Sequence, residues 1–412
     1  MSEDIEAIRG SLSKLLEGKR IMLVVTGGIS IYRIPDVARG LIRHGAFVEV
    51  FMSRTASRLL NPLIMHWATG SKPLIELSGY AEHVRLCANS DAVVVAPATA
   101  NLIGKVANGV SDSSVSLCLM VAMGAGKPIL MVPAMNINMW MNPIVKSNVE
   151  KLRNLGVRFL EPIIEEGKAK IPHTDEIIES TIDLTSPRNM SGLRVLVTSG
   201  PTREYIDDVK YITTPSSGLT GYYIAREAAA RGAEVYVVSG PVNIRYPSNV
   251  KLINVTSVMD MHNAVMELLR SKQIHVAFFA AAPLDFYVKD KVRGKLSSDI
   301  ENTTVTLIKA PKIVNDAKAT SPGTIVVGYK AEVNVNEEDL LKRALNRMRE
   351  GSWDMVIAHN VSELGFGTVT DAYHIINKSG LHIKIGPAHK RELARVILNE
   401  VLRLLELNSS LK

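Results

Sequence analysis

Apolar residues in this chain concentrate in short, near-continuous runs at 46–52, 92–95, 128–132 and 157–160, and again at 234–238, 251–255, 275–280, 324–327 and 355–358. Between these runs the apolar positions recur at helical spacing. Strands covered on both faces read as continuous Val, Ile, Leu and Ala, so the alternation predicts parallel sheets flanked by helices. Two stretches read alike as beginnings: Arg20-Ile21-Met22-Leu23-Val24-Val25-Thr26-Gly27-Gly28 and Leu193-Arg194-Val195-Leu196-Val197-Thr198-Ser199-Gly200. The expected architecture is α/β, with two doubly wound, Rossmann-like domains whose sheets are mainly parallel. Ser, Pro, Asn and Gly at 184–192 compose a linker, which puts the boundary near Arg188 and gives domains 1–187 and 188–412. Near the end, 373–376 and 381–385 flank Asn377-Lys378-Ser379-Gly380. This pattern predicts an added β-hairpin in the second domain, followed by a closing helix from His389 onward.

A length of 412 residues exceeds one ordinary core and agrees with that division. With 46% hydrophobic and 22% charged residues, the composition is that of a globular protein rather than a disordered one. The amino terminus, MSEDIEAIRG, is acidic and lacks an apolar signal core, and the longest charge-free apolar stretch, 115–126, is shorter than a membrane span. A cytoplasmic protein with no membrane partner is expected. The two cysteines, Cys87 and Cys118, lie in apolar helical segments and read as reduced thiols, with no disulfide framework or zinc site. Net charge is +7; up to Ser186 there are 19 basic and 18 acidic residues, against 29 and 23 beyond, so most of the excess lies in the second half. No basic run or interleaved aromatic residues accompany it, which favours phosphorylated small molecules and argues against a nucleic-acid partner.

Ligands of open parallel sheets sit at the carboxyl ends of the strands. That rule aligns Thr26-Gly27-Gly28-Ile29-Ser30, Ser53-Arg54-Thr55, Ala96-Pro97-Ala98-Thr99-Ala100-Asn101 and Pro133-Ala134-Met135-Asn136 along one rim. Glycines, hydroxyls and backbone N–H groups ahead of helices are what a phosphate needs. A helical segment at 79–91 delivers His83 just before the third strand. Together, this histidine, the Ala-Pro-x-Thr-Ala-Asn loop and the Pro-Ala-Met-Asn loop resemble the flavin-containing cysteine decarboxylases, phosphopantothenoylcysteine decarboxylases in particular, over roughly 19–183. The resemblance implies FMN on Gly27, Gly28, Ile29, Ser53, Thr55, Thr99, Ala100, Asn101, Leu102 and Ala134, with His83 and Asn136 as catalytic residues. An imidazole can relay a proton near neutral pH, and a neutral amide can orient a carboxylate without opposing its loss. Bacterial relatives carry a proton-donating cysteine in a flap after this domain's last helix. The matching stretch, 165–173, has none, which leaves Lys168, Lys170 and His173 as candidate donors, while Cys87, one helical turn after His83, reads as structural.

Thr198-Ser199-Gly200-Pro201-Thr202-Arg203-Glu204, followed by Ser216-Ser217-Gly218, resembles the phosphopantothenate–cysteine ligases, whose Gly-Pro-Thr-x-Glu and Ser-Ser-Gly pattern it follows over about 192–406. Agreement extends to Ser239-Gly240-Pro241-Val242, Ala280-Ala281-Ala282-Pro283-Leu284-Asp285, Gly328-Tyr329-Lys330-Ala331-Glu332 and Gly365-Phe366-Gly367. By this likeness CTP, with Mg2+, would form an acyl-cytidylate on 4′-phosphopantothenate, and cysteine's amine would displace CMP. Ala281, Asp285, Lys291, Pro311, Lys312, Ile313, Val314 and Tyr329 would contact the nucleotide, with Lys291 offsetting charge on the reacting phosphate. Ser216, Ser217 and Gly218 offer hydroxyls and a helix start to a phosphate. Lys210 and Thr214 stand where relatives have arginine and asparagine, and no metal ligand set can be read. The product, 4′-phosphopantothenoylcysteine, is the substrate implied for the first domain. The two likenesses therefore imply a bifunctional enzyme of coenzyme A biosynthesis and a homo-oligomer built from decarboxylase trimers and ligase dimers. The absent flap cysteine and Thr214 leave open a non-catalytic flavin-binding regulatory protein with a vestigial ligase domain. A nicotinamide dehydrogenase is weaker, because no G-x-G-x-x-G follows either first strand.

Overall fold

The computed structural model describes residues 3–364 and 367–410, so Gly365 and Phe366 of the Gly365-Phe366-Gly367 signature lie outside the described residues. The chain divides into two compact units, Met1–Ser186 and Pro187–Lys412, each built around its own sheet.

The first unit contains β1 (Arg20–Val25), β2 (Phe47–Met52), β3 (Ala92–Ala98), β4 (Ile129–Pro133), β5 (Met135–Asn136), β6 (Arg158–Phe159), β7 (Ile163–Glu165) and β8 (Lys168–Lys170). Five of these form a parallel sheet in the order β2-β1-β3-β4-β6. Pleating sends alternate side chains to opposite faces. Ile21, Leu23 and Val25 therefore pack with helices Ile34–Arg43, Pro62–Thr69 and Thr174–Thr185 in one core. Met22 and Val24 pack with helices Ala100–Ala107, Ser114–Gly124 and Pro143–Asn154 in the other. Sealing both faces is what makes the strands read as near-continuous apolar runs. The strand order reverses between β1 and β3, leaving a crevice at their carboxyl ends. Strands β5, β8 and β7 form a separate antiparallel sheet that pairs Asn136 with Lys168. At two or three residues each, they are too short to show a period.

The cysteine expectation is corrected. Cys87 and Cys118 are joined in a disulfide, with Cα atoms 5.5 Å apart. Helices Glu82–Ala88 and Ser114–Gly124 pack against each other in one core, and both cysteines are fully buried there. Spacing along the chain carries no information about that distance, which only helix packing supplies.

The second unit contains β9 (Arg194–Ser199), β10 (Arg203–Tyr205), β11 (Tyr211–Thr213), β12 (Glu234–Ser239), β13 (Val250–Asn254), β14 (Val276–Phe279), β15 (Phe286–Val288), β16 (Leu307–Lys309), β17 (Ile325–Glu332), β18 (Met355–Asn360), β19 (Thr370–Asn377) and β20 (His382–His389). The main sheet runs β13-β12-β9-β14-β17-β18-β19-β20, parallel up to β18 and closed by the antiparallel β19–β20 hairpin. Its order reverses between β9 and β14, again leaving a crevice. Helix Leu219–Ala230 lies so close to β9 that a Cβ on Gly221 would stand 2.6 Å from Ser199 Oγ. The glycine thereby seats the Ser216-Ser217-Gly218 turn over the crevice.

The same helix packs against Lys390–Ser410 and brings Glu227 among three guanidiniums: Arg231 Nε at 3.0 Å, Arg391 Nε at 3.1 Å and Arg395 Nε at 3.1 Å. Burial alone would raise the Glu227 carboxyl pKa, but the three cations override it and hold it down at about 2.

Two outcomes follow from this packing. A disulfide across a separation of 31 residues restricts the unfolded chain, worth about 3–4 kcal/mol on the chain-entropy account. A Cys87→Ala, Cys118→Ala variant, or a thiol reductant under unfolding conditions, should lower the stability of the first unit by that order in urea titrations; coincident curves would refute the pairing. Glu227's depressed pKa stabilises the fold in full above its unfolded value near 4.5, and that contribution disappears as pH falls toward 2. The second unit should lose about 3 kcal/mol between pH 5 and pH 2 that a Glu227→Gln variant does not lose. Equal acid sensitivity in both proteins would contradict this.

Candidate active sites

A cavity of about 1400 Å³ opens at the carboxyl ends of β1 to β4. Thr26, just past β1, donates a hydrogen bond to the Pro97 carbonyl in β3 at 2.6 Å, tying the two sides of the crevice together. Three rim residues are fixed as helix caps: Ser53 accepts from Ala56 N–H, Thr99 from Leu102 N–H, and Asn136 from Asn138 N–H. Gly27, Gly28, Ile29, Ser53, Thr55, Thr99, Ala100, Asn101, Leu102, Ala134 and Asn136 all line this one cavity. A Cβ on Gly27 would lie 2.4 Å from Thr55 Cγ2, so only glycine leaves that wall open. The residues fit a phosphorylated planar cofactor: backbone and hydroxyl groups lie at the strand ends, with apolar groups such as Ile29, Leu102 and Ala134 beside them.

Lys168, Lys170 and His173 also line the cavity. Lys170 is held by Glu166 at 2.7 Å and Glu165 at 3.3 Å, and these carboxylates raise its pKa. Lys168, in register with Asn136, makes no ion pair within the described residues. Two features of the rim had escaped the sequence reading. Ser113 caps helix Ser114–Gly124 through a capping box closed by Ser116, where the usual signal would be Glu or Gln. Lys105 crosses to Asp112 at 2.7 Å.

His83 stands elsewhere. It opens the helix Glu82–Ala88, is half-buried, and is not among the residues lining the cavity. Its Nδ1 is buried without a hydrogen-bond partner among the described residues, and its neighbours Tyr80 and Val84 are exposed.

In the second unit a cavity of about 660 Å³ opens at the carboxyl ends of β9, β14, β17 and β18. Ser216, Ser217, Gly218, Ala281, Asp285, Pro311, Lys312, Ile313, Val314 and Tyr329 line it, and Asp285 forms an ion pair with Lys312. Burial pushes the Tyr329 phenol pKa well up, and its hydroxyl has no hydrogen-bond partner among the described residues. Lys210, Thr214 and Lys291 lie outside this lining. Thr214 donates to the Ala282 carbonyl at 2.6 Å, Lys210 pairs with Asp207 at 3.1 Å, and Lys291 pairs with Asp208 at 2.8 Å. Asp207 also accepts from the Val209, Lys210 and Leu296 N–H groups, which drives its pKa far below the carboxylate range and knits two loops together. His359, Asp371 and Lys390 complete the cavity floor from β18, β19 and the start of the last helix. No motif announced them, because they meet only across the sheet. Burial works to raise the Asp371 carboxyl pKa, yet His359 and Lys390 bring it below its ordinary value; burial lowers that of Lys390. Among the described residues no three His, Cys, Asp or Glu side chains gather as a metal cage.

Residues 9–186 match the Flavoprotein family, and residues 190–405 match the family described as DNA/pantothenate metabolism flavoprotein C-terminal domain. Two α/β units, each with its cavity at a strand-order reversal, thus define a two-domain pantothenate-metabolism flavoprotein. The coenzyme A biosynthesis bifunctional protein CoaBC of Thermococcus kodakarensis is 38% identical over 410 residues, covering 98% of this chain and 100% of that one. The protein of the same description from Methanocaldococcus jannaschii is 31% identical over 401 residues, covering 97% of each. The crystal structure of the C-terminal domain of a coenzyme A biosynthesis bifunctional protein CoaBC is 29% identical and covers 53% of this chain and 98% of its own, with a TM-score of 0.45. The chain belongs to the family of coenzyme A biosynthesis bifunctional proteins.

The Gly27 geometry generates a prediction. Gly27→Ala should reduce retained flavin by about tenfold or more, since the added methyl must displace Thr55. Flavin content read from the visible spectrum of purified protein checks this, and full occupancy would contradict it.

Proposed function

We propose that the second unit joins cysteine to 4′-phosphopantothenate through a CTP-derived acyl-cytidylate, and that the first unit decarboxylates the resulting 4′-phosphopantothenoylcysteine with FMN. The observation that carries this reading is the convergence of ten expected flavin contacts and Asn136 on one cavity at a strand-order reversal. FMN supplies an electron sink for the thiol-bearing carbon, without which the carboxylate has no path to leave. The chain's own residues do the rest. Asn136 uses its side-chain oxygen as a helix cap, which leaves its amide N–H groups to donate to the substrate carboxylate. Of the flap groups, Lys168 and His173 are better placed than Lys170 to give up a proton, since Glu165 and Glu166 hold the Lys170 proton in place.

In the second cavity the Ser216-Ser217-Gly218 turn ahead of helix Leu219–Ala230 receives a phosphate, and Ala281, Asp285 and Pro311 to Val314 receive the nucleotide. Mg2+ would arrive on the triphosphate rather than in a protein cage. Each cavity lacks something within one chain: His83 at the first; Lys210, Thr214 and Lys291 at the second. A homo-oligomer, trimeric through the first units and dimeric through the second, would supply them from neighbouring copies. The unpartnered Nδ1 of His83 and the exposed Tyr80 and Val84 beside it suit such a contact.

Purified protein should be yellow, should release CO2 from 4′-phosphopantothenoylcysteine, and should release pyrophosphate only with CTP, 4′-phosphopantothenate and cysteine together or with the first two in a single turnover. His83→Asn should retain flavin while CO2 release falls by about 10²-fold or more, the range for loss of a proton-transfer group. A colourless protein that releases neither product would overturn the reading. Full turnover by a Lys168→Ala, Lys170→Ala, His173→Ala variant would remove the flap from the proton path.

A further inference from the structure

We propose that His359, set against Asp371 on the floor of the second cavity, is the general base that takes a proton from the incoming amine. The inference rests on the ligase reading above and names a catalytic residue within it. An amino acid's amine is protonated at neutral pH and has no lone pair for attack. Amide formation makes a C–N bond, breaks the bond from the acyl carbon to the phosphate oxygen, and strips two protons from nitrogen. One must pass to a base as attack begins; the other leaves with the phosphate oxygen or to solvent. A group able to accept a proton near neutrality must therefore face the reacting carbon.

Elimination within the cavity points to one residue. Its other charged side chains are committed to one another: Asp285 to Lys312, Glu332 to Lys330 at 2.8 Å and to Arg343 at 3.0 Å, and Glu350 to Arg347 at 3.0 Å. His359 is the only imidazole among the described lining residues. Its Nδ1 is buried 3.4 Å from Asp371 Oδ2, close enough for ion pairing once the ring is protonated and not aligned as a hydrogen bond in this state. Its other ring nitrogen makes no hydrogen bond within the described residues. Asp371 is itself buried, and Lys390 Nζ stands 3.6 Å from the same carboxylate oxygen. An imidazolium formed at His359 thus gains a carboxylate partner that water cannot screen, which is the arrangement a base needs after accepting a proton. The Tyr373 ring lies edge-on to His359 with centroids 5.4 Å apart, and Tyr329 lies edge-on to Tyr373. Among the described residues, Lys330 and Glu332 on the neighbouring strand β17 flank Ala331, the register partner of His359, and pair with each other. Lys390 is the less suitable base, because losing its proton would leave the Asp371 carboxylate without that cation.

Partial reactions test the assignment. His359→Gln should release pyrophosphate from CTP and 4′-phosphopantothenate in a single turnover as the unaltered protein does. It should also form the hydroxamate normally with hydroxylamine, a nucleophile that is already neutral. Amide formation with cysteine should fall by about 10²–10⁴-fold. Added imidazole should restore part of the rate to His359→Ala. Unchanged amide formation, or parallel loss of pyrophosphate, hydroxamate and amide, would overturn the assignment, the latter placing His359 with the phosphorylated substrate instead. If the unaltered protein released no pyrophosphate at all, the ligase reading itself would fall and this inference with it.

Discussion

A parallel sheet sealed by helices on both faces can open to ligands only at its strand ends, and in each unit the reversal of strand order decides where. In the first unit the reversal between β1 and β3 separates the loops after them and leaves a cavity; in the second, β9 and β14 do the same. The site residues are therefore contributed by short loops rooted in buried strands. Ser53, Thr99 and Asn136 are held further as helix caps, so the groups offered to a ligand are set by the same bonds that begin the helices. Binding needs little loop ordering under these conditions.

Charge is managed differently in the cores and in the cavities. Glu227 binds three guanidiniums in a closed, buried cluster that serves the packing of two helices. In the cavities ion pairs lie along the lining, and among the described residues some lining groups keep unpaired atoms, such as Lys168 and His173 at the first and the His359 Nδ1 and Tyr329 hydroxyl at the second. Such incompletely satisfied groups are costly in a core and useful in a site, where a substrate supplies the missing partner.

Most of the architecture was legible in the sequence because burial on both faces writes itself as near-continuous apolar runs. The nine runs read from the pattern correspond to β2, β3, β4, β6, β12, β13, β14, β17 and β18, and the hairpin around Asn377-Lys378-Ser379-Gly380 is β19–β20. The residues lining the first cavity were legible through a resemblance of motifs, the Ala-Pro-x-Thr-Ala-Asn and Pro-Ala-Met-Asn loops at strand ends, rather than through the apolar pattern. Three kinds of feature were not. Strands β5, β7, β8, β10, β11, β15 and β16 have only two or three residues and show no period. The Cys87–Cys118 bond depends on the distance between two packed helices, which composition does not encode. The His359, Asp371 and Lys390 cluster joins three segments only through sheet pairing, so no spacing along the chain marks it.

The central claim is that each strand-order reversal holds its own chemistry, flavin at the first and nucleotide at the second. A crystal of the full chain grown with both FMN and CTP tests it most directly. The account requires difference density for an isoalloxazine ring between Gly27 and Thr99, and for a nucleotide between Ser217 and Val314. Flavin bound in the second cavity, or the first cavity filled by ordered solvent at saturating FMN, would contradict it.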